Sequence, residues 1–355
     1  MSAVRLLQGP SKVDRVLRPR CVPCYKRAMT QENPNTMADR QALALRVEQA
    51  GPILAALDAH LHLTNDQVER LLFRTGLTAT GRPRRARGSA YAANTALRRL
   101  REAGLVSREP VFLPARTHAG VHPGAVNVLT PAGARAVGSG RWRRHLLPRP
   151  WQPILHDYWI REAFTSLALA AQRDGLTATG WRDDRQLLAE NRVQAEPWDV
   201  IPDGRLLIGE PSAGREGAYL LEIDLDTVVL RSATPGRRDW TRKVRLYAGQ
   251  STRSLRQRFG GQLPVIVLTA TTTQARLDNL IEATTDAGGA GRFWFTTLAE
   301  LIPTPLPGSQ LAGLPVDEAE SHIAAHERTP LGPIWRTGRD QERRGIAPRH
   351  LQNPI

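Results

Sequence analysis

The sequence predicts a two-domain chain of mixed class, α+β in its first half and α/β in its second. Three observations carry that expectation. Its 355 residues suffice for two cores. Charge is divided unevenly: residues 1–150 hold 25 Lys and Arg against 9 Asp and Glu, whereas residues 151–355 hold 24 against 25, within a net +15. The apolar spacing changes too, from three helices and a hairpin to strands alternating with helices. A positive excess confined to one half marks a polyanion-binding domain beside a near-neutral one. An Arg-rich genome would enrich both halves alike. No run of 18 apolar residues exists and no secretory stretch opens the sequence, so no membrane contact and a cytoplasmic location are expected.

Residues 1–39 read as a disordered basic lead-in, whose Cys21 and Cys24 form a lone C-x-x-C, neither a disulfide framework nor a complete zinc site. A first helix is expected from Arg40 to His60, with Pro52 marking a break or fresh start after Gly51. His60-Leu61-His62 has the spacing of paired metal-binding imidazoles, but such a pair needs a strand to share one face. Here it sits at a helix end and is read as chance. Thr64-Asn65-Asp66-Gln67 has the form of a capping box and opens a second helix. After the Arg-rich segment Gly81–Gly88, Ser89 is expected to cap a third helix running to a Gly104 stop. In it Ala93, Leu97, Leu100 and the following Leu105 face the core, while Asn94, Arg98 and Arg101 share a polar face. Val106–Leu113 and Ala125–Leu129 read as two strands, and Thr130-Pro131 caps a short closing helix.

Three helices then a hairpin is the order of a winged helix-turn-helix, whose third helix enters the major groove of double-stranded DNA. Residues 40–140 are assigned to it. Arg84, Arg85 and Arg87 would meet phosphates. Ser89 would lie at the same interface, Asn94 and Arg98 would face base edges, and Arg99 and Arg101 could do either. Residues 141–153 form a basic linker that also suits phosphate.

From 154 to 302 the pattern is helix, strand, strand, strand, helix, strand, then helix and strand. That is the core αβββαβ order of the PD-(D/E)xK nuclease-like fold. Its carboxylates fall suitably: Asp203 stands before the second strand, and alternation puts Glu222 and Asp224 on one face of the third. Glu162, on the first helix, is expected to approach the same place. Asp203 and Glu222 could hold Mg²⁺ or Mn²⁺, which takes one or two carboxylates plus water and phosphate. Asp224 occupies the usual lysine position, and Lys243 on the next helix is the replacement. It is the sole lysine outside the lead-in, among 46 arginines. These acids could instead be structural, with Asp224 or Asp226 paired to Arg242 or Arg245. Residues 303–355 read as a mostly disordered tail, where His322 and His326 are taken as a solvated helix turn.

The chain resembles the replication-relaxation family of plasmids and integrative elements. The matching stretches are Leu63–Gln67, Leu97–Val106, Val128–Gly133, His156-Asp157, Pro202-Asp203, Leu221–Asp224 with Thr227, and Lys243 with Tyr247. The likeness covers about Arg40 to Ile302. It implies a role in plasmid replication, DNA relaxation or mobilisation, with replication or transfer proteins as partners and a homodimer allowed. Two alternatives stand beside it. One is a winged-helix transcriptional regulator with a non-catalytic docking or dimerisation domain, the other a metal-dependent nickase.

Overall fold

The computed structural model describes residues 50–74, 86–115, 120–194, 197–210, 215–232, 239–302, 316–327, 329–337 and 343–346. The lead-in with Cys21 and Cys24, residues 40–49 of the first expected helix, Arg84 and Arg85 lie outside this set. The fold is mixed α+β, built on two sheets. No described helix is long and apolar enough to cross a membrane.

Helix α1 spans Ala50–His60, with Pro52 in its first turn and Ile53, Leu54 and Leu57 buried. Helix α2, Asn65–Leu72, starts from the expected capping box: the Gln67 N–H donates to Thr64 Oγ1 and the Thr64 N–H to Gln67 Oε1. Helix α3, Ala86–Glu102, buries Ala93, Ala96, Leu97 and Leu100 and stops at Gly104, whose φ of +68° suits glycine. A two-residue strand β1, His62–Leu63, pairs with β3, Val121–Leu129, which is antiparallel to β2, Val106–Pro114. The hairpin is longer than expected because β3 begins at Val121. Thr130 caps α4, Pro131–Ala136, and Gly133 there is obligatory, since a Cβ would lie 2.0 Å from the Leu105 carbonyl oxygen. Strand β4, Gln152–Pro153, adds parallel to β2.

The second sheet has the order β11-β10-β9-β8-β7-β6-β5. Strands β5 (Thr177–Asp183), β6 (Gly204–Glu210) and β7 (Arg215–Asp224) are antiparallel neighbours, whereas β8 (Ile266–Thr271) and β9 (Phe293–Thr297) run parallel to β7. Alternation along β7 divides the core. Tyr219, Leu221 and Ile223 face helix α5, Leu155–Arg173, whereas Ala218 and Leu220 face α7 (Trp240–Ala248), α8 (Thr252–Phe259) and α9 (Gln274–Asp286). Helix α6 (Asp184–Arg192) falls where the sequence read as a polar loop, and α8 in a stretch to which it assigned no element. Each buries only two residues, too few to show a stripe. A short α10, Leu298–Leu301, follows β9.

Parts of the tail, read from sequence as mostly disordered, take up regular structure. Among its described residues, α11 (Val316–Glu327) is followed by β10 (Trp335–Thr337) and β11 (Arg343–Arg344), which extend the sheet antiparallel beyond β9. Leu331, Ile334, Trp335 and Ile346 enter the α5-side core. Four scattered apolar residues suffice because the sheet and α5 already supply the opposing surface.

Candidate functional site

Two regions concentrate the predicted residues. The first is the outer face of α3, where Tyr91, Asn94, Arg98 and Arg99 are exposed, and Tyr91 is 79% so. Arg98 donates to Glu102 at 2.8 Å, a surface i,i+4 pair of the kind that contributes at most about 1 kcal/mol and yields readily to a stronger anion. The Asn94 side-chain oxygen accepts from Asn65, and half-buried Arg101 donates to Asn127. Arg87 lies in the first turn of α3. Ser89 departs from expectation: the helix begins before it, its side chain is buried, and its hydroxyl donates to Glu69 on α2. It therefore joins α3 to α2 rather than facing outward. Tyr91 was not singled out by sequence, since an aromatic beside an apolar stripe reads as core.

The second region lies at the carboxyl end of β7. Lys243 Nζ, from α7, is 2.5 Å from Glu222 Oε2, and the Tyr247 hydroxyl, one turn on, donates to Glu222 Oε1 at 2.9 Å. Asp203 accepts from the Ile223 N–H at 2.8 Å, which fixes it beside the same strand. His156 Nε2, at the start of α5, lies 3.2 Å from Asp203 and 3.0 Å from the Ile223 carbonyl oxygen. Burial pushes the Glu222 carboxyl up to about 7, against the pull of Lys243. Burial opposes the charge on His156, but the hydrogen bond and charge of Asp203 outweigh it and push the imidazole up to about 9. Burial works against the Asp203 carboxylate as well, yet His156 and Lys243 hold it below the usual range.

Asp203, Glu222 and Lys243 are thus brought together, and Asp224 and Glu162 are not. Asp224 shares the Glu222 face of β7, as alternation requires, but its carboxylate accepts from Arg276 Nε at 2.7 Å and from Thr271. Its cation is Arg276 on α9, not Arg242 or Arg245. Glu162 is buried on α5 against α2, where Gln67 donates at 2.8 Å and Arg70 at 2.5 Å. It anchors α5 to α2. His156 and Tyr247 were not among the candidates; the Lys-x-x-x-Tyr spacing, one helical turn, was the available signal for Tyr247. His60 and His62 do not share a strand, because Leu61 between them has a φ of +63°.

Among the described residues no group of three or more His, Cys, Asp or Glu could hold a metal ion. Asp203 and Glu222 are two carboxylates, the number Mg²⁺ takes when phosphate and water complete its shell. Both oxygens of Glu222 are engaged, by Lys243 and Tyr247, and Asp203 is held by Ile223 and His156, so an ion would have to displace these partners.

This is a two-sheet α+β protein whose polar cluster stands at the carboxyl end of β7, which has an antiparallel neighbour on one side and a parallel one on the other. The sequence pattern of the replication-relaxation family matches residues 54–266, from within α1 to the first residue of β8. That span exceeds half the chain and includes both regions described above, and the chain belongs to the replication-relaxation family. No curated protein and no solved structure matches it significantly.

Proposed function

We propose that this chain is a DNA-binding protein of a plasmid or integrative element, acting in replication, DNA relaxation or mobilisation. Residues 40–140 are its winged helix-turn-helix, with α3 in the major groove and β2–β3 as the wing. Residues 141–153 link it to a PD-(D/E)xK-like unit over 154–302, extended by the tail. Association with replication or transfer proteins and a homodimer belong to the same proposal. The observation that carries it is the exposed Asn94, Arg98 and Arg99 face of α3, in the half that holds the whole positive excess. The test measures duplex affinity of the full chain across salt concentrations. Arg98→Ala with Arg99→Ala should flatten the salt dependence by about one unit of slope for each phosphate that is no longer neutralised. If one of them reads a base, its removal costs about 1–3 kcal/mol and relaxes sequence preference instead. Absence of duplex binding at low salt would overturn the proposal.

A second reading, a metal-assisted nickase, is favoured by the convergence of Asp203, Glu222 and Lys243 at one strand end. Asp203 and Glu222 would hold Mg²⁺ or Mn²⁺, which supplies an activated water at such sites. Lys243 would place a compact positive charge against the phosphate.

A further inference from the structure

We propose that the segment joining the two units binds single-stranded DNA, stacking an unpaired base on Trp151 beside the arginines that precede it. The inference rests on the DNA-binding proposal and adds the form of the nucleic acid. Trp151 is 55% exposed, and its φ of +62° lies in the left-handed region, where a bulky side chain is strained. Backbone bonds impose the conformation. The Trp151 N–H donates to the Pro110 carbonyl at 2.7 Å, the Gln152 N–H to Arg149 at 3.0 Å and the Ile154 N–H to Phe112 at 3.3 Å. The segment is thereby pinned to β2, and the indole leans on Phe112 with ring centroids 5.8 Å apart. A large aromatic is held out in water on a rigid support.

Its charge setting selects the ligand. Arg143, Arg144 and Arg149 are exposed, and among the described residues no salt bridge engages them. Exposed arginines alone would suit any phosphate chain. The open indole narrows the choice, because interior base pairs of a duplex cover each other's faces, whereas every unpaired base can offer one to the ring. From Trp151 the chain continues through β4 into α5, where His156 touches Asp203.

The experiment uses the full chain and fluorescence anisotropy with a labelled oligothymidine and a labelled duplex of equal length, at one salt concentration. Trp151→Gly deletes the ring and suits the left-handed backbone, so it removes stacking without adding strain. It should weaken oligothymidine binding about tenfold, as expected when one base stack is removed, and leave duplex binding within about twofold. Trp151→Phe, which keeps a π face, should retain most of the single-strand affinity. The inference falls if Trp151→Gly binds oligothymidine as the wild type does, or weakens on both ligands equally. It also falls if the wild type binds duplex alone. Failure to bind either ligand removes the DNA-binding proposal and this inference with it.

Discussion

Lys243 carries more meaning than a lysine ordinarily would, because the chain writes nearly every cation as arginine: 46 of 49 basic residues. Its ammonium meets a buried carboxylate whose other oxygen is taken by Tyr247. A guanidinium is longer and planar and cannot put its charge at the same point. If the cluster is catalytic, Lys243→Arg should abolish Mg²⁺- or Mn²⁺-dependent nicking of supercoiled plasmid nearly as completely as Lys243→Ala. Asp203→Asn and Glu222→Gln should do the same, with duplex affinity almost unchanged in all four. Arginine restoring the nicking would show that any cation serves. A wild-type protein that neither nicks nor binds either ion removes the nickase reading.

Among the elements, α2 shows how a short helix is made to hold. Eight residues do not form a stable helix alone. Gln67 serves both ends of the problem: its oxygen accepts from the Thr64 N–H in the capping box, and its amide donates to Glu162 on α5. Arg70 pairs with the same carboxylate, and Glu69 receives Ser89 from α3 and Arg74. Thr64→Ala deletes one half of the box and should lower stability by about 1 kcal/mol in chemical denaturation. A change under about 0.3 kcal/mol would show that packing against α5 alone holds α2, with the cap redundant.

For the whole molecule, three buried or partly buried imidazoles give the pH dependence of stability its expected shape. His60 packs tilted against Phe164 and stacks on Trp181, ring centroids 4.7 and 5.3 Å away, and His62 is buried nearby. Burial, then Arg161 and Arg141 for His60 and Arg161 and Arg185 for His62, push both imidazoles well below their ordinary value. Below the unfolded value near 6.5 the unfolded chain binds protons that the folded one refuses, so stability falls with falling pH. The slope approaches about 1.4 kcal/mol per pH unit for each ring. His156 acts in the opposite sense. Its folded value is raised to about 9, so its contribution is complete below about 6.5 and is lost as pH rises through 9. Denaturation midpoints across pH should therefore fall away on both sides, and His156→Gln should flatten the alkaline limb while also reducing the acid-side contribution of Asp203, which His156 holds down. Glu222, raised to about 7, opposes the two rings between its unfolded value and 7, so the acid limb emerges below about pH 6, and a profile level from about pH 5 to 6 would contradict neutral burial of the two histidines.

Local chemistry alone settled what lies within a turn or two of chain. The Thr64–Gln67 box, the Thr130-Pro131 start and the Gly104 stop are hydrogen bonds and dihedral preferences between near neighbours, and each stands where the residues placed it. Alternation likewise put Glu222 and Asp224 on one face of β7 before any fold was known. Sharing a face does not choose a partner. Asp224 found Arg276, 52 residues on, whereas Glu222 found Lys243 and Tyr247, and Glu162 turned to Arg70 across 92 residues. Only the packing of α5, α7 and α9 around the strands decided those pairings. A buried charge takes whichever opposite charge the assembled core brings within reach, and sequence spacing does not encode that distance. The two-residue strands β1 and β4, helices α6 and α8, and the ordered part of the tail have the same explanation. Each is too short or too polar to declare itself, and each exists because a surface made elsewhere in the chain receives it.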